Sequence, residues 1–197
     1  MFKTFKKIVL SICVFTCCIQ LNAQENLLIN TYNRSSISLN GDWNYIVDPY
    51  ENGFYNYRYE PFENQANPGN GAFFINAKPK DKTDLVEYDF DLSDVIQVPS
   101  DWNTQKENLF YYEGTVWYKK SFDYVKTNQD NRVFVYFEAV NYQADVYFNG
   151  KKLGTHIGGF TPFNFEVTEL LKESDNFLIV KVDNKRKKEA VPTLNTD

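Results

Sequence analysis

The sequence predicts an all-β domain, a sandwich or jelly roll of antiparallel sheets carrying one long irregular insertion. From Ile37 onward, apolar residues recur with period two, in short runs broken by Asn, Asp and Gly. Helix is scarce, the one persuasive piece being the six residues 167–172. An aromatic content of 17%, from 17 Phe, 14 Tyr and 3 Trp, gives such strands ample apolar area for a core.

The first 23 residues stand apart. Lys3, Lys6 and Lys7 precede an apolar run from Ile8 to Ile19, and a small residue follows at Ala23. That is the order of a secretory signal peptide, and the run is shorter than the ~20 residues a spanning helix needs. Cleavage after Ala23 is expected, with export to the periplasm or the exterior and Gln24 as the first mature residue. Cys17 and Cys18 could carry a lipid, although Phe15 and Thr16 before them fit lipoprotein processing poorly.

The strands then follow in order. Trp43, Tyr45 and Val47 share one face; Val116, Tyr118, Lys120 and Phe122 interleave with Trp117 and Lys119; Val133, Val135 and Phe137 share another. Ala144, Val146 and Phe148 alternate with Asp145, Tyr147 and Asn149 up to the pair Asn149-Gly150. This pair suits the positive backbone angles of a type I′ turn, so the chain should return antiparallel through 152–156. Two further strands are expected at 163–167 and 177–183. Between the last two, Thr168 is placed to cap a single helical turn.

The stretch 49–94 breaks the pattern. It is rich in Asn, Pro and Gly, yet holds Tyr50, Phe54, Tyr55, Tyr57, Tyr59, Phe62, Phe73 and Phe74. An insertion of this length in a compact domain is functional or an interface, and a disordered linker would not concentrate aromatics so heavily. Its rings either tuck it back onto its own sandwich, pack against another domain, or line a sugar-binding mouth.

Composition narrows the chemistry. Removal of Lys3, Lys6 and Lys7 takes the 21 Lys+Arg to 18 against 26 Asp+Glu, a net charge of about −8, so nucleic acid is not an expected partner. The basic run Lys185–Lys188 reads as a solvated strand end. Cys13, Cys17 and Cys18 all lie in the signal, leaving the exported domain without a disulfide or a cysteine nucleophile. With His156 the single histidine, neither a histidine metal site nor a Ser-His-Asp relay is expected, and no nucleotide-binding glycine loop or nucleophile elbow is present. No cofactor and no catalytic residue are assigned.

Six landmarks fall in a telling order: Leu39-Asn40-Gly41-Asp42-Trp43, Val98-Pro99-Ser100-Asp101-Trp102, 112–120 (YEGTVWYKK), Asp145-Val146-Tyr147-Phe148-Asn149-Gly150, 156–163 (HIGGFTPF) and Val180-Lys181-Val182-Asp183-Asn184. The series resembles the N-terminal sugar-binding domain of glycoside hydrolase family 2, the family of β-galactosidases, β-glucuronidases and β-mannosidases. The resemblance implies a jelly-roll β-sandwich of the galactose-binding-domain-like kind over residues 24–186. Within it, Gly158-Gly159 would permit close backbone passage and Phe163 would anchor in the core.

In that family the chemistry belongs to a later (β/α)8 barrel of about 250 residues. Two glutamates there, about 5 Å apart, act as acid/base and nucleophile in a retaining mechanism. The resemblance therefore implies an exported β-glycosidase whose barrel and immunoglobulin-like domain lie outside this chain, with 187–197 as the start of an interrupted loop. Relatives send an Asp from this loop to a hydroxyl of the terminal sugar, and Asp197 falls where it is expected. Where galactosidase relatives supply an Asn to the pocket, this sequence has Thr115. The expected partners are a terminal β-linked sugar and the enzyme's own C-terminal domains. Two alternatives stay open: a free carbohydrate-binding module without hydrolase activity, and a lipid-anchored interaction protein.

Overall fold

A computed structural model describes residues 27–66, 72–78, 81, 83 and 89–185. The expected signal, the loop 187–197 and Asp197 lie outside the described residues.

Among the described residues, eight strands form two antiparallel layers: β1 (Gly41–Val47), β2 (Val95–Val98), β3 (Thr115–Phe122), β4 (Phe134–Phe137), β5 (Gln143–Phe148), β6 (Lys151–Ile157), β7 (Phe163–Glu166) and β8 (Asn176–Asp183). Six make one sheet in the order β2-β1-β3-β8-β5-β6, and β4 pairs with β7 in the second. β8 thus inserts between β3 and β5, so the sheet is complete only once β8 is in place. The expected jelly-roll sandwich is found, with two layers of unequal width.

Strand parity decides what each side chain meets. Trp43 and Tyr45 of β1, Val116 and Tyr118 of β3, Val146 and Phe148 of β5, and Val180 and Val182 of β8 join Val135 and Phe163 of the small sheet in the core between the layers. The opposite parity holds Ile46, Trp117, Tyr147 and Ile179. These pack against Phe54, Phe73, Phe74 and Phe90, all from the chain between β1 and β2. The central strands are therefore buried on both faces, where period two alone had predicted half-buried strands. Trp117, Tyr147 and Ile179 are 0% exposed, and fully burying an apolar side chain of this kind contributes roughly 1.5–3 kcal/mol.

Local signals explain the connections. Asn149 (φ 49°) and Gly150 (φ 84°) both take positive angles, the type I′ turn expected of that pair. Asn149 also donates through Nδ2 to Leu170 O at 2.8 Å and to Asn176 Oδ1 at 3.0 Å, and accepts from Phe177 N at 2.9 Å. The β5–β6 hairpin is thereby fastened to the start of β8. Phe163 is buried between His156 (4.1 Å between centroids, 12° between planes) and Phe137 (4.7 Å, 11°). A Cβ on Gly159 would lie 2.8 Å from Asn141 Oδ1, so the close passage expected there is real.

Two expectations are corrected. Thr168 does not cap an α-helical turn; Thr168–Leu170 is a 3₁₀ turn without a side-chain cap. Its hydroxyl instead accepts from Val133 N at 2.9 Å and donates to Glu166 Oε1 at 2.7 Å, tying the turn to β4 and β7. The α-helix among the described residues is Trp102–Gln105, in the Ser100-Asp101-Trp102 landmark, where the Asp101 carboxylate accepts from Thr104 N at 2.8 Å.

Candidate functional site

The chain between β1 and β2 carries the features that the sandwich itself does not need. Asp48, 3% exposed and just past β1, sets its path. Its carboxylate accepts from Trp117 Nε1 at 2.9 Å, from Asn52 N at 2.8 Å and from Gly53 N at 3.0 Å. One buried anion thus turns the chain and fixes it to β3, with every donor charge-assisted. At Gly53 the chain passes under the Phe73 ring so closely that a Cβ would come within 2.1 Å of it. Phe73 stands edge-on to Trp117 at 5.3 Å, and Phe74 stacks on Tyr147 at 5.0 Å. Further along, the buried Lys119 of β3 holds Asp91 at 2.9 Å and Asn76 Oδ1 at 3.0 Å.

Beside these rings lies a belt of paired charges. Lys181 of β8 bonds Glu51 at 3.0 Å and stands 4.1 Å above the Phe54 ring. Lys152 of β6 bonds Glu63 at 2.9 Å and Asp145 at 3.3 Å. Tyr147 donates to Glu63 at 2.9 Å, and Thr155 donates to Asp145. Burial pushes the Glu51 carboxyl upward, but the Lys181 hydrogen bond and charge outweigh it, so Glu51 titrates below the usual carboxylate range. Burial, reinforced by Glu63 and Asp145, raises the Tyr147 phenol far above its ordinary value. Each carboxylate in this belt has a lysine beside it. That arrangement holds segments together; it does not set two carboxyls at different pKa values for acid/base work.

The outer side of the same segment is different in kind. Residues 54–62 form a small hairpin-like loop: Tyr55 bridges to Pro61, Asn56 N donates to Glu60 O at 3.0 Å and Phe62 N to Phe54 O at 2.8 Å. The Asn56 side chain locks its tip, accepting from Arg58 N at 2.8 Å and Glu60 N at 2.9 Å and donating to Glu60 Oε2 at 2.9 Å. Phe54 points down into the buried cluster, whereas Tyr50, Tyr57 and Tyr59 are about four-fifths exposed. Together with Asn52, Tyr55 and Asn56 they line a cleft of about 270 Å³. Tyr55 and Tyr59 are 6.2 Å apart with planes inclined at 42°, a wedge that leaves ring faces open. The aromatic insertion therefore divides its labour: Phe54, Phe73 and Phe74 dock it with Tyr55 packed beside them, while Tyr50, Tyr57 and Tyr59 face outward.

The positions singled out in the sequence fall as follows. Thr115 is fully buried at the start of β3 and its hydroxyl donates to Glu51 at 3.2 Å, so it is engaged inside the domain. It is paired in register with Asp183, the end of β8. Asn184 then clasps Gly114, accepting from its N at 2.8 Å and donating backbone to its O at 3.2 Å. Residues 184–185, the last described, thus leave the sheet beside Thr115. Tyr112 lies there too; burial and Asp48 raise its phenol to about 12, and it donates to Thr115 O at 2.9 Å. His156 is stacked on Phe163, with burial lowering its pKa. Among the described residues no group of three His, Cys, Asp or Glu is arranged to hold a metal ion, and no helix is long and apolar enough to cross a membrane. Asp48 and the Asn56-locked loop were not foreseen; only the density of aromatics in 49–94 pointed to them.

Residues 87–193 match the family described as glycosyl hydrolase 2 galactose-binding domain-like. The chain belongs to that family. Within it, a β-galactosidase of Thermoanaerobacter pseudethanolicus is 35% identical over 121 residues, 58% of this chain and 16% of that enzyme. A putative β-glucuronidase of Formosa agariphila is 35% identical over 106 residues, 52% of this chain and 13% of that protein. Among solved structures, the β-glucuronidase of Bifidobacterium dentium complexed with coumarin-3-O-glucuronide covers 84% of this chain and is 29% identical, with a TM-score of 0.58. The β-glucuronidase of an uncultured Clostridium sp. covers 78%, is 28% identical and gives 0.57. This glycosyl hydrolase 2 domain aligns with under a quarter of each of these four proteins.

Proposed function

We propose that the chain serves an exported exo-β-glycosidase of the β-glucuronidase or β-galactosidase type as its N-terminal carbohydrate-binding and scaffolding domain. Hydrolysis of the glycosidic bond falls to a catalytic barrel outside these 197 residues. The observation that carries the reading is the family match over residues 87–193, joined to relatives named β-galactosidase and β-glucuronidase that are several times longer. The lysine-neutralised carboxylates on the sheet's outer face support a scaffold and give no acid/base pair.

In this role the sandwich braces the barrel, and the segment after β8 carries Asp197 toward a hydroxyl of the terminal sugar. Residues 1–23 direct export and are removed after Ala23. The test is expression of the complete reading frame and its assay on chromogenic β-glucuronides and β-galactosides, with mass spectrometry of the exported protein. Turnover of one substrate and an N-terminus at Gln24 are expected. A product inactive on both, or one retaining residues 1–23, would overturn the corresponding part.

A further inference from the structure

The outward face of the insertion is not accounted for by bracing alone. Four tyrosines and two asparagines line one cleft, Tyr50, Asn52, Tyr55, Asn56, Tyr57 and Tyr59, and no charged side chain is among them. Charges stand nearby in quantity, at Glu51, Arg58 and Glu60, yet they are turned to other work. Glu51 takes Lys181, Glu60 accepts from Asn56, and the Arg58 guanidinium lies 5.2 Å over the Tyr57 ring.

We propose that this cleft binds an uncharged oligosaccharide, as a site separate from any hydrolytic pocket. Three properties lead there. A tyrosine offers a flat apolar face and a hydroxyl at its edge, which suits a sugar ring with C–H groups on its faces and hydroxyls around its rim. The exposed Tyr50, Tyr57 and Tyr59 offer ring surface beside the half-buried Tyr55, and Asn52 adds an amide, both donor and acceptor, to the lining. The loop is also preorganised: the Asn56 hydrogen bonds, the Tyr55–Pro61 bridge and the Asp48 anchor fix it before any ligand arrives, so little ordering entropy is lost on binding. Acidic glycans are disfavoured, because no charged side chain lines the cleft and the flanking Glu51 and Glu60 outnumber Arg58. A lipid tail would call for an apolar lining, which the Asn52 amide and four tyrosine hydroxyls do not provide.

Isothermal titration of the chain tests this with cellotetraose and β-1,4-galactotetraose as neutral probes and β-1,4-mannuronate tetrasaccharide as the charged one. Binding of at least one neutral probe is expected at a Kd of about 1 mM. The double variant Tyr57→Ala/Tyr59→Ala should weaken it about tenfold, the scale of losing one aromatic contact. Tyr111→Ala, altering a residue 91% exposed elsewhere, should leave it unchanged. All three substituted side chains are exposed, and unchanged thermal unfolding verifies the fold. Absence of binding to both neutral probes, binding retained in the double variant, or tighter binding of the mannuronate would each overturn the proposal. The readout is affinity of this chain, so its failure leaves hydrolysis by the longer enzyme untouched, and the reverse also holds.

Discussion

Replacing Asp48 by Ala should destabilise the domain by about 2–4 kcal/mol. The carboxylate serves three donors, two of them buried, Trp117 Nε1 and Gly53 N. Leaving a buried donor unsatisfied costs about 1–3 kcal/mol each, so two give roughly 2–6. Part is returned because the substitution also removes a buried charge that is costly to desolvate. For a chain of this size, 2–4 kcal/mol lowers Tm by roughly 4–16 °C. Urea unfolding followed by near-ultraviolet circular dichroism gives both the free energy and the state of the Trp117 environment. Trp117→Phe removes one of the orphaned donors, so the double variant Asp48→Ala/Trp117→Phe should cost less than the two singles combined, by about 1–2 kcal/mol. A single-variant loss below about 0.5 kcal/mol, within the range of ordinary surface substitutions, would refute the idea that this anion fixes the insertion to the sheet.

Other outcomes follow from the same geometry. Gly53→Ala drives a Cβ into the Phe73 ring and should cost about 1–3 kcal/mol by overpacking, read by thermal unfolding. Phe73→Ala, at a site 2% exposed, should cost about 3–5 kcal/mol and expose residues 72–76 to hydrogen exchange ahead of the sandwich core. Because the Glu51 carboxyl is held below its ordinary value by Lys181, its contribution is complete above the unfolded pKa of about 4.3 and is lost as pH falls through the folded value. Acid titration of stability should therefore show a loss below about pH 4.3 that is smaller in Lys181→Met. On the proposal that Asp197 bonds the terminal sugar in a longer enzyme, Asp197→Asn should lower kcat/KM there about tenfold or more without changing thermal stability.

Much of the sandwich was legible because strand parity is a strong signal wherever one face is apolar. Trp43/Tyr45, Ala144/Val146/Phe148 and the Asn149-Gly150 turn all lie where the period placed them. β2 was not read as a strand: Val95–Val98 has four residues, too few to display a period. The double burial of β3, β5 and β8 was hidden for a related reason. Trp117, Tyr147 and Ile179 occupy the parity read as outward, and only the folded insertion shows what covers them. Within 49–94 the aromatic count was visible, but which rings dock and which face solvent depends on Asp48, Gly53 and Asn56, polar or small residues whose roles exist only through contacts distant in sequence. Thr115 illustrates the limit at the site. It was singled out as a departure from a galactosidase pocket Asn, yet it opens β3 and its hydroxyl is committed to Glu51, 64 positions earlier.

The central claim is that this domain shapes and supports a glycosidase without performing its chemistry, and the direct measurement is turnover by the purified 197-residue chain alone. On p-nitrophenyl β-glucuronide and p-nitrophenyl β-galactoside, beside the complete enzyme at equal concentration, the chain should release no nitrophenol above buffer. Saturable release by the chain itself, surviving repurification, would contradict the account.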